Sequence, residues 1–204
     1  MGANVLGCKQ GSFPMKYLGL LLGANVRDRS IWNPIIEKVE RRLVGWKRLY
    51  LSTGGKVTLI KSTLSNRPIY FLSLFSIPVE VANRIEQLQW NFLWSGRGDV
   101  KKTHLVKWAT VFTPLCFGDL AIRSLRSFNK VLFGKWLWRF GNERQALWRR
   151  VIGAKYGCEG WGWCSLPVIG PHGVSLWKFI SRGWPSFVRH IQFEVGAGFT
   201  VRFW

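Results

Sequence analysis

The residues best placed to do chemistry in this chain are cations interleaved with aromatic rings, and the chemistry they suit is gripping a phosphodiester backbone. Lys135-Trp136-Leu137-Trp138-Arg139 and Leu147-Trp148-Arg149-Arg150 are the densest runs. On a helix such runs turn Trp toward a core and Lys or Arg outward, where cations hold phosphates without reading base sequence. Lys38, Arg41 and Arg42 stand three and four residues apart on one helical face, with Arg48 further on, and Lys56 and Lys61 are the charges of the next segment. The expected nucleic-acid contacts are therefore Lys38, Arg41, Arg42, Arg48, Lys56, Lys61, Lys135, Arg139, Arg149 and Arg150. An ordinary solvated face is the plainer reading of each charge. The balance of 30 Lys and Arg against 10 Asp and Glu, a formal net charge of +20, favours the phosphate reading. A compact body so charged repels itself unless a polyanion screens it; RNA or DNA is the first candidate partner and an acidic membrane surface a distant second.

Other chemistries find little support. Two-metal catalysis needs clustered carboxylates, and Asp28, Asp99 and Asp119 sit apart, each beside turn residues or Gly, where Asp is favoured for local backbone reasons. Cys8 or Cys116 with His104, His172 or His190 has no local spacing that makes a nucleophile and base. Cys158, Cys164 and His172 would give three zinc ligands, but the cysteines are further apart than the usual pair. Gly54-Gly55-Lys56-Val57-Thr58 lacks the first glycine of a phosphate loop and the Ser or Thr directly after its lysine. No catalytic residue, metal, cofactor or small-molecule substrate is expected.

The elements that must position the cations are mainly helical. Tyr17 to Gly23 reads as a short buried strand with Gly at its bends. Trp32, Ile35, Ile36, Val39, Leu43, Trp46 and Tyr50 form one apolar stripe, with Asn33-Pro34 as cap and first-turn proline. Leu51 to Gly55 breaks that helix, and a second runs from about Lys56 to Asn66 with Val57, Ile60 and Leu64 inward. Ile69 to Phe75 is helix or strand by periodicity alone. Pro78 opens a third helix to about Trp94. After a basic loop, His104 to Val111 suggests an extended segment. Ser127 is expected to cap a helix to Phe140 that Gly141-Asn142 ends. A further helix covers about Glu143 to Tyr156, with Leu147, Trp148, Val151 and Ile152 inward. Gly157 to Gly173 reads as a linker, Val174 to Gly183 as a short helix, and Ile191 to Trp204 as a hairpin turning at Gly196-Ala197-Gly198.

The start of the chain lacks the charged and apolar stretches of a signal peptide, and its apolar runs are shorter than the ~20 residues a membrane helix needs. Four irregularly spaced cysteines argue against a disulfide framework and for an intracellular setting, nucleus or cytoplasm undecided. The thirteen tryptophans are first of all core material.

Several motifs then come in a familiar order. Tyr17-Leu18-Gly19 with Gly23, Trp46-Lys47, Leu51-Ser52 into Gly55-Lys56, Leu59-Ile60-Lys61, Pro68-Ile69-Tyr70 and Ile77-Pro78 lead the series. Asn91 to Gly96, Val106-Lys107-Trp108, Gly118 to Leu125, Asn129, Lys135 to Arg139, Leu147-Trp148, Lys155-Tyr156, and Val195 to Gly198 with Arg202-Phe203-Trp204 complete it. Together they resemble the region after the polymerase core in plant LINE-type (non-LTR) retrotransposon reverse transcriptases. The resemblance runs collinearly along nearly the whole chain. It implies that residues 1–29 are the end of the palm and that 30–112 are the thumb, which lies along the template–primer duplex. It further implies that 113–156 are a helical connecting region and 157–204 a Gly/Trp-rich segment cut before the zinc-binding region. The polymerase carboxylates would precede this chain, and a ribonuclease H domain would follow it. The chain departs from the family in having Leu21 where Pro is usual, Asp119 and Ala121 where Gly is usual, and Ala197 where Asp is usual; the Ala121 change bears on a tight turn.

The expectation is a mainly α protein: a thumb-like helical bundle with a short N-terminal β element and a C-terminal β-hairpin. It would be a truncated reverse-transcriptase-like protein of retroelement origin, not itself an enzyme, that binds RNA or DNA (an RNA/DNA duplex) without sequence specificity and has no membrane partner. The alternative is an inactive, pseudogene-like fragment.

Overall fold

In the computed structural model the described residues are 12, 15–17, 19–22, 29–47, 49–95, 120–159, 162–167 and 176–192. They are mainly helical, as the periodicities require. Strands β1 (Met15–Tyr17) and β2 (Leu20–Leu22) pair antiparallel with Tyr17 opposite Leu20. The expected strand is thus a small hairpin, because Gly19 takes φ +84°, a left-handed conformation that turns the chain in place. The expected extended segment at 104–111 and the C-terminal hairpin lie outside the described residues.

A 3-10 turn (Arg29–Trp32) leads into α1 (Asn33–Lys47), whose Ile35, Val39 and Leu43 are buried at one-turn spacing. Tyr50 lies beyond this helix and is exposed, so it leaves the expected stripe. Helix α2 (Thr53–Leu59) begins earlier than expected and takes both glycines into its first turn. Ser52 makes this possible: its hydroxyl accepts from the Gly55 amide at 3.1 Å, satisfying one of the orphan donors of a helix start. The helix continues as a π turn (Ile60–Leu64) that carries Ile60 and Leu64 into the core. The ambiguous segment is a short helix, α3 (Ile69–Leu72), and α4 (Val79–Leu93) follows Pro78 as expected.

Helix α5 (Leu125–Asn142) starts two residues before Ser127. The Glu86 carboxylate on α4 accepts from the Leu125 amide at 3.2 Å, so a distant anion caps the helix in place of a local hydroxyl. Gly141-Asn142 closes α5 as expected, and Gly141 is buried as its penultimate residue, with a Cβ there only 2.5 Å from the Trp163 ring, so the bare backbone admits the indole. Helix α6 (Leu147–Tyr156) begins four residues later than expected because Glu143 is engaged by Arg139 and Trp148 in the preceding turn. Leu147 and Val151 are exposed, contrary to expectation, while Trp148 and Ile152 face inward. Cys158 and Ser165 form an isolated antiparallel bridge. Helices α7 (Leu176–Ser181) and α8 (Trp184–Phe187), then a 3-10 turn (Val188–His190), close the described chain.

Three apolar clusters hold the elements. The first joins Trp32 and Ile35 to Leu72, Ile85 and Leu125; the second joins Val39 and Leu43 to Ile60, Leu64 and Phe92. The third packs Leu137 and Phe140 of α5 on Trp177 and Ile180 of α7. Helix α5 therefore serves two cores. Buried Asn129 locks its near end: its amide donates to the carbonyls of Leu72 and Phe75, and its oxygen accepts from the Ile77 amide at 3.1 Å. An apolar residue there would leave three buried backbone groups without partners. Nearby, Ala121 stands at φ +47°, so the turn where the resemblance implies Gly is built with a strained alanine.

Candidate nucleic-acid interface

Helix α1 buries one stripe and presents the opposite face to solvent. That geometry brings Lys38, Arg41 and Arg42 together as the sequence spacing requires. The structure adds a fourth cation, Arg67, carried from beyond the π turn. These four, with Gly45 and Trp46, line an open cleft of about 450 Å³. Gly45 borders open space, since a Cβ built there meets nothing within 4 Å. Trp46 forms its wall, braced by Phe92 with ring centroids 5.8 Å apart. No carboxylate lines the cleft. The Glu40 carboxylate turns away to Arg84 at 3.0 Å. Among the described residues, no ion pair engages Lys38, Arg41, Arg42 or Arg67. Four exposed cations without counter-charge are what a phosphate backbone requires.

The other expected contacts divide. Lys56 is half-buried; its ammonium donates to the Ser95 hydroxyl at 3.1 Å and to the Ser95 carbonyl, and lies 5.8 Å from the Phe92 ring centre. Arg139 holds Glu143 bidentately at 2.6 and 2.9 Å and lies 5.0 and 5.5 Å from the rings of Trp136 and Trp148. Arg149 donates to the carbonyls of Phe140 and Gly162 at 3.3 and 2.8 Å and covers the Phe140 ring at 4.6 Å. These three side chains are engaged within the chain, unlike Lys38, Arg41, Arg42 and Arg67, for which no ion pair is seen among the described residues. The physical reason is that a guanidinium beside a carboxylate or free carbonyls is captured intramolecularly. The same contact raises the Arg139 pKa and holds the Glu143 carboxyl below its ordinary value, the hydrogen bond between them being the main cause. Trp138 departs from expectation: it is 52% exposed, not turned to the core. Lys61 is half-buried and Arg150 exposed; Lys135 stands on the rim of a larger groove between α5 and α7–α8; Arg48 is outside the described residues.

Arg67 had no signal in the sequence, because nothing in its spacing relates it to residues 38–42; tertiary packing alone delivers it. Among the described residues no group of three or more His, Cys, Asp or Glu side chains is placed to hold a metal ion. The Cys164 thiol is pushed up to about 12, first by burial and then by its hydrogen bond to Glu159. Among the described residues no helix is long and apolar enough to cross a membrane.

No family model matches the chain. A protein of Arabidopsis thaliana named as a ribonuclease H protein is 33% identical to it over 178 residues, which is 87% of this chain and 29% of that protein. The chain therefore spans less than a third of the curated relative it matches. This similarity overturns one expectation from the sequence, that the chain is no enzyme: the relative carries an enzyme's name, that of a nuclease, so the exclusion of enzymatic activity is withdrawn.

Proposed function

We propose that this chain is a nucleic-acid-gripping helical region of a retroelement-derived protein, with a thumb-like role. It holds an RNA–DNA duplex through phosphate contacts that do not read sequence. The observation that carries the reading is the cleft in which Lys38, Arg41, Arg42 and Arg67 converge beside Trp46 with no carboxylate among them. Two further facts support it. The net charge of +20 favours a polyanionic partner, and the Arabidopsis relative carries the name of a ribonuclease. The collinear motifs resembling LINE-type reverse transcriptases supply the retroelement origin.

Phosphate gripping suits this arrangement because α1 is fixed by the second apolar cluster, so the backbone that carries Lys38, Arg41 and Arg42 needs little ordering on binding. Contacts from cations to phosphates carry no base information, so affinity comes from charge and is shared by unrelated sequences. The test is binding of two RNA–DNA hybrids of unrelated sequence to the parent and to Arg41→Gln/Arg42→Gln. Both hybrids are expected to bind the parent alike and the variant about tenfold or more weakly. Equal binding by parent and variant, or a strong preference for one sequence, rejects the reading.

A further inference from the structure

A second groove lies between α5 and the α7–α8 corner, shares no lining residue with the α1 cleft, and has a volume of about 870 Å³. Its rim is cationic. Arg126 and Lys130 stand one helical turn apart on α5, about 6 Å along the axis; Lys135 follows, and Arg182, just beyond α7, lines the same groove. All four are exposed. No Asp or Glu lines the groove. Its interior is aromatic and apolar. Trp138 offers an exposed ring, Phe179 lies beneath the Arg182 guanidinium at 5.8 Å, and Phe187 rests on α5 where Gly134 has no side chain. A Cβ at Gly134 would stand 3.3 Å from the Phe187 ring, so the glycine lets the ring press against the helix backbone and deepens the groove.

We propose that this groove binds a single-stranded nucleic acid, with bases stacked on Trp138 and neighbouring rings and phosphates held by Arg126, Lys130, Lys135 and Arg182. The combination of surfaces selects the occupant. An apolar small molecule makes no use of four rim cations. A duplex presents phosphates but keeps its bases stacked inside, so it makes no use of an exposed indole. An unpaired strand presents a π-face and a phosphate at each step, and a positively charged groove with aromatic platforms meets both. The assignment extends the nucleic-acid reading to a second surface, with a different ligand form from that held at the α1 cleft.

The experiment compares a labelled oligothymidylate with an RNA–DNA hybrid on the full chain, by fluorescence anisotropy. Arg126→Glu/Lys130→Glu is expected to weaken oligothymidylate binding by more than tenfold and hybrid binding by less than twofold. Trp138→Ala is expected to weaken oligothymidylate by about tenfold, and Trp138→Phe, which keeps a stacking face, to restore most of it. Arg41→Gln/Arg42→Gln is expected to do the reverse of the groove variants. The altered side chains are exposed, and matching unfolding curves verify that each variant folds. Groove variants that bind oligothymidylate within twofold of the parent overturn the proposal. So does an equal loss of both ligands, which would mean one diffuse electrostatic surface, or tighter binding of an acidic amphipathic peptide, which would mean a protein partner. If the cleft variant leaves hybrid binding intact while the groove variants lose the single strand, the proposed function fails and the groove stands; the converse pattern sinks the groove alone.

Discussion

The salt dependence of hybrid binding follows from the cation count in the α1 cleft. Lys38, Arg41, Arg42 and Arg67 line it without a carboxylate. If each neutralises one phosphate, the slope of log K against log salt is about −3.6, since each contact contributes roughly −0.9. Raising salt from about 50 to about 200 mM then weakens binding by roughly 150-fold. Arg41→Gln/Arg42→Gln leaves two contacts, so the slope falls to about −1.8 and the same salt step costs only about 12-fold. The substitutions are at exposed positions on the solvent face of α1 and leave its buried stripe of Ile35, Val39 and Leu43 untouched, so the change is one of charge and not of fold. Anisotropy titrations of a short labelled hybrid at four salt concentrations measure both slopes. Arg144→Gln is the control: it is an exposed cation between α5 and α6, outside the cleft, and should leave the slope unchanged. A parent slope shallower than about −1.5, or a double variant with the parent's slope, would refute the phosphate reading of this cleft.

Three further outcomes are expected. Asn129→Leu strips partners from the carbonyls of Leu72 and Phe75 and from the Ile77 amide, and should cost roughly 2–4 kcal/mol in urea unfolding; a cost below about 1 kcal/mol would mean those groups find water instead. Ala121→Gly removes a side chain from a left-handed conformation at φ +47°, and should raise the melting temperature by an amount equivalent to about 0.5 kcal/mol; Ala→Gly at a position of negative φ destabilises. The Glu143 carboxyl is held below its ordinary value by Arg139, so its contribution to stability is full above the unfolded carboxylate range and is lost as pH falls through the depressed value. The melting-temperature difference between parent and Glu143→Gln should therefore be present at neutral pH and shrink as pH falls below about 4.3 and on through the depressed value, and a difference that grows on acidification would contradict the assignment.

The helices of the first half are legible because their apolar residues repeat at one-turn spacing over many positions. Val39 and Leu43 on α1 and Ile85 and Phe92 on α4 bury as their period demands. The same repeats set Lys38, Arg41 and Arg42 on one face of α1. Ends are less legible, because caps come from elsewhere in the fold: Glu86 starts α5, and Arg139 with Trp148 holds Glu143 in the turn before α6. The second half misleads for a related reason. Helix α5 alternates cations and aromatics around its whole circumference, so its sequence does not say which faces are covered, and Arg139 and Trp138 exchange their expected roles.

Composition and periodicity suffice for a helical, strongly basic chain with one clear cationic helix face, since charge is a sum over residues and a helix stripe is a local period. Which cations remain available depends on how the helices pack. That packing brought Arg67 to the α1 cleft, gathered Arg182 into one groove with Arg126 and Lys130, and engaged Lys56, Arg139 and Arg149 in contacts within the chain. A guanidinium's partner is fixed by whichever carboxylate, carbonyl or ring packing sets beside it, and that proximity joins positions that no spacing along the chain relates.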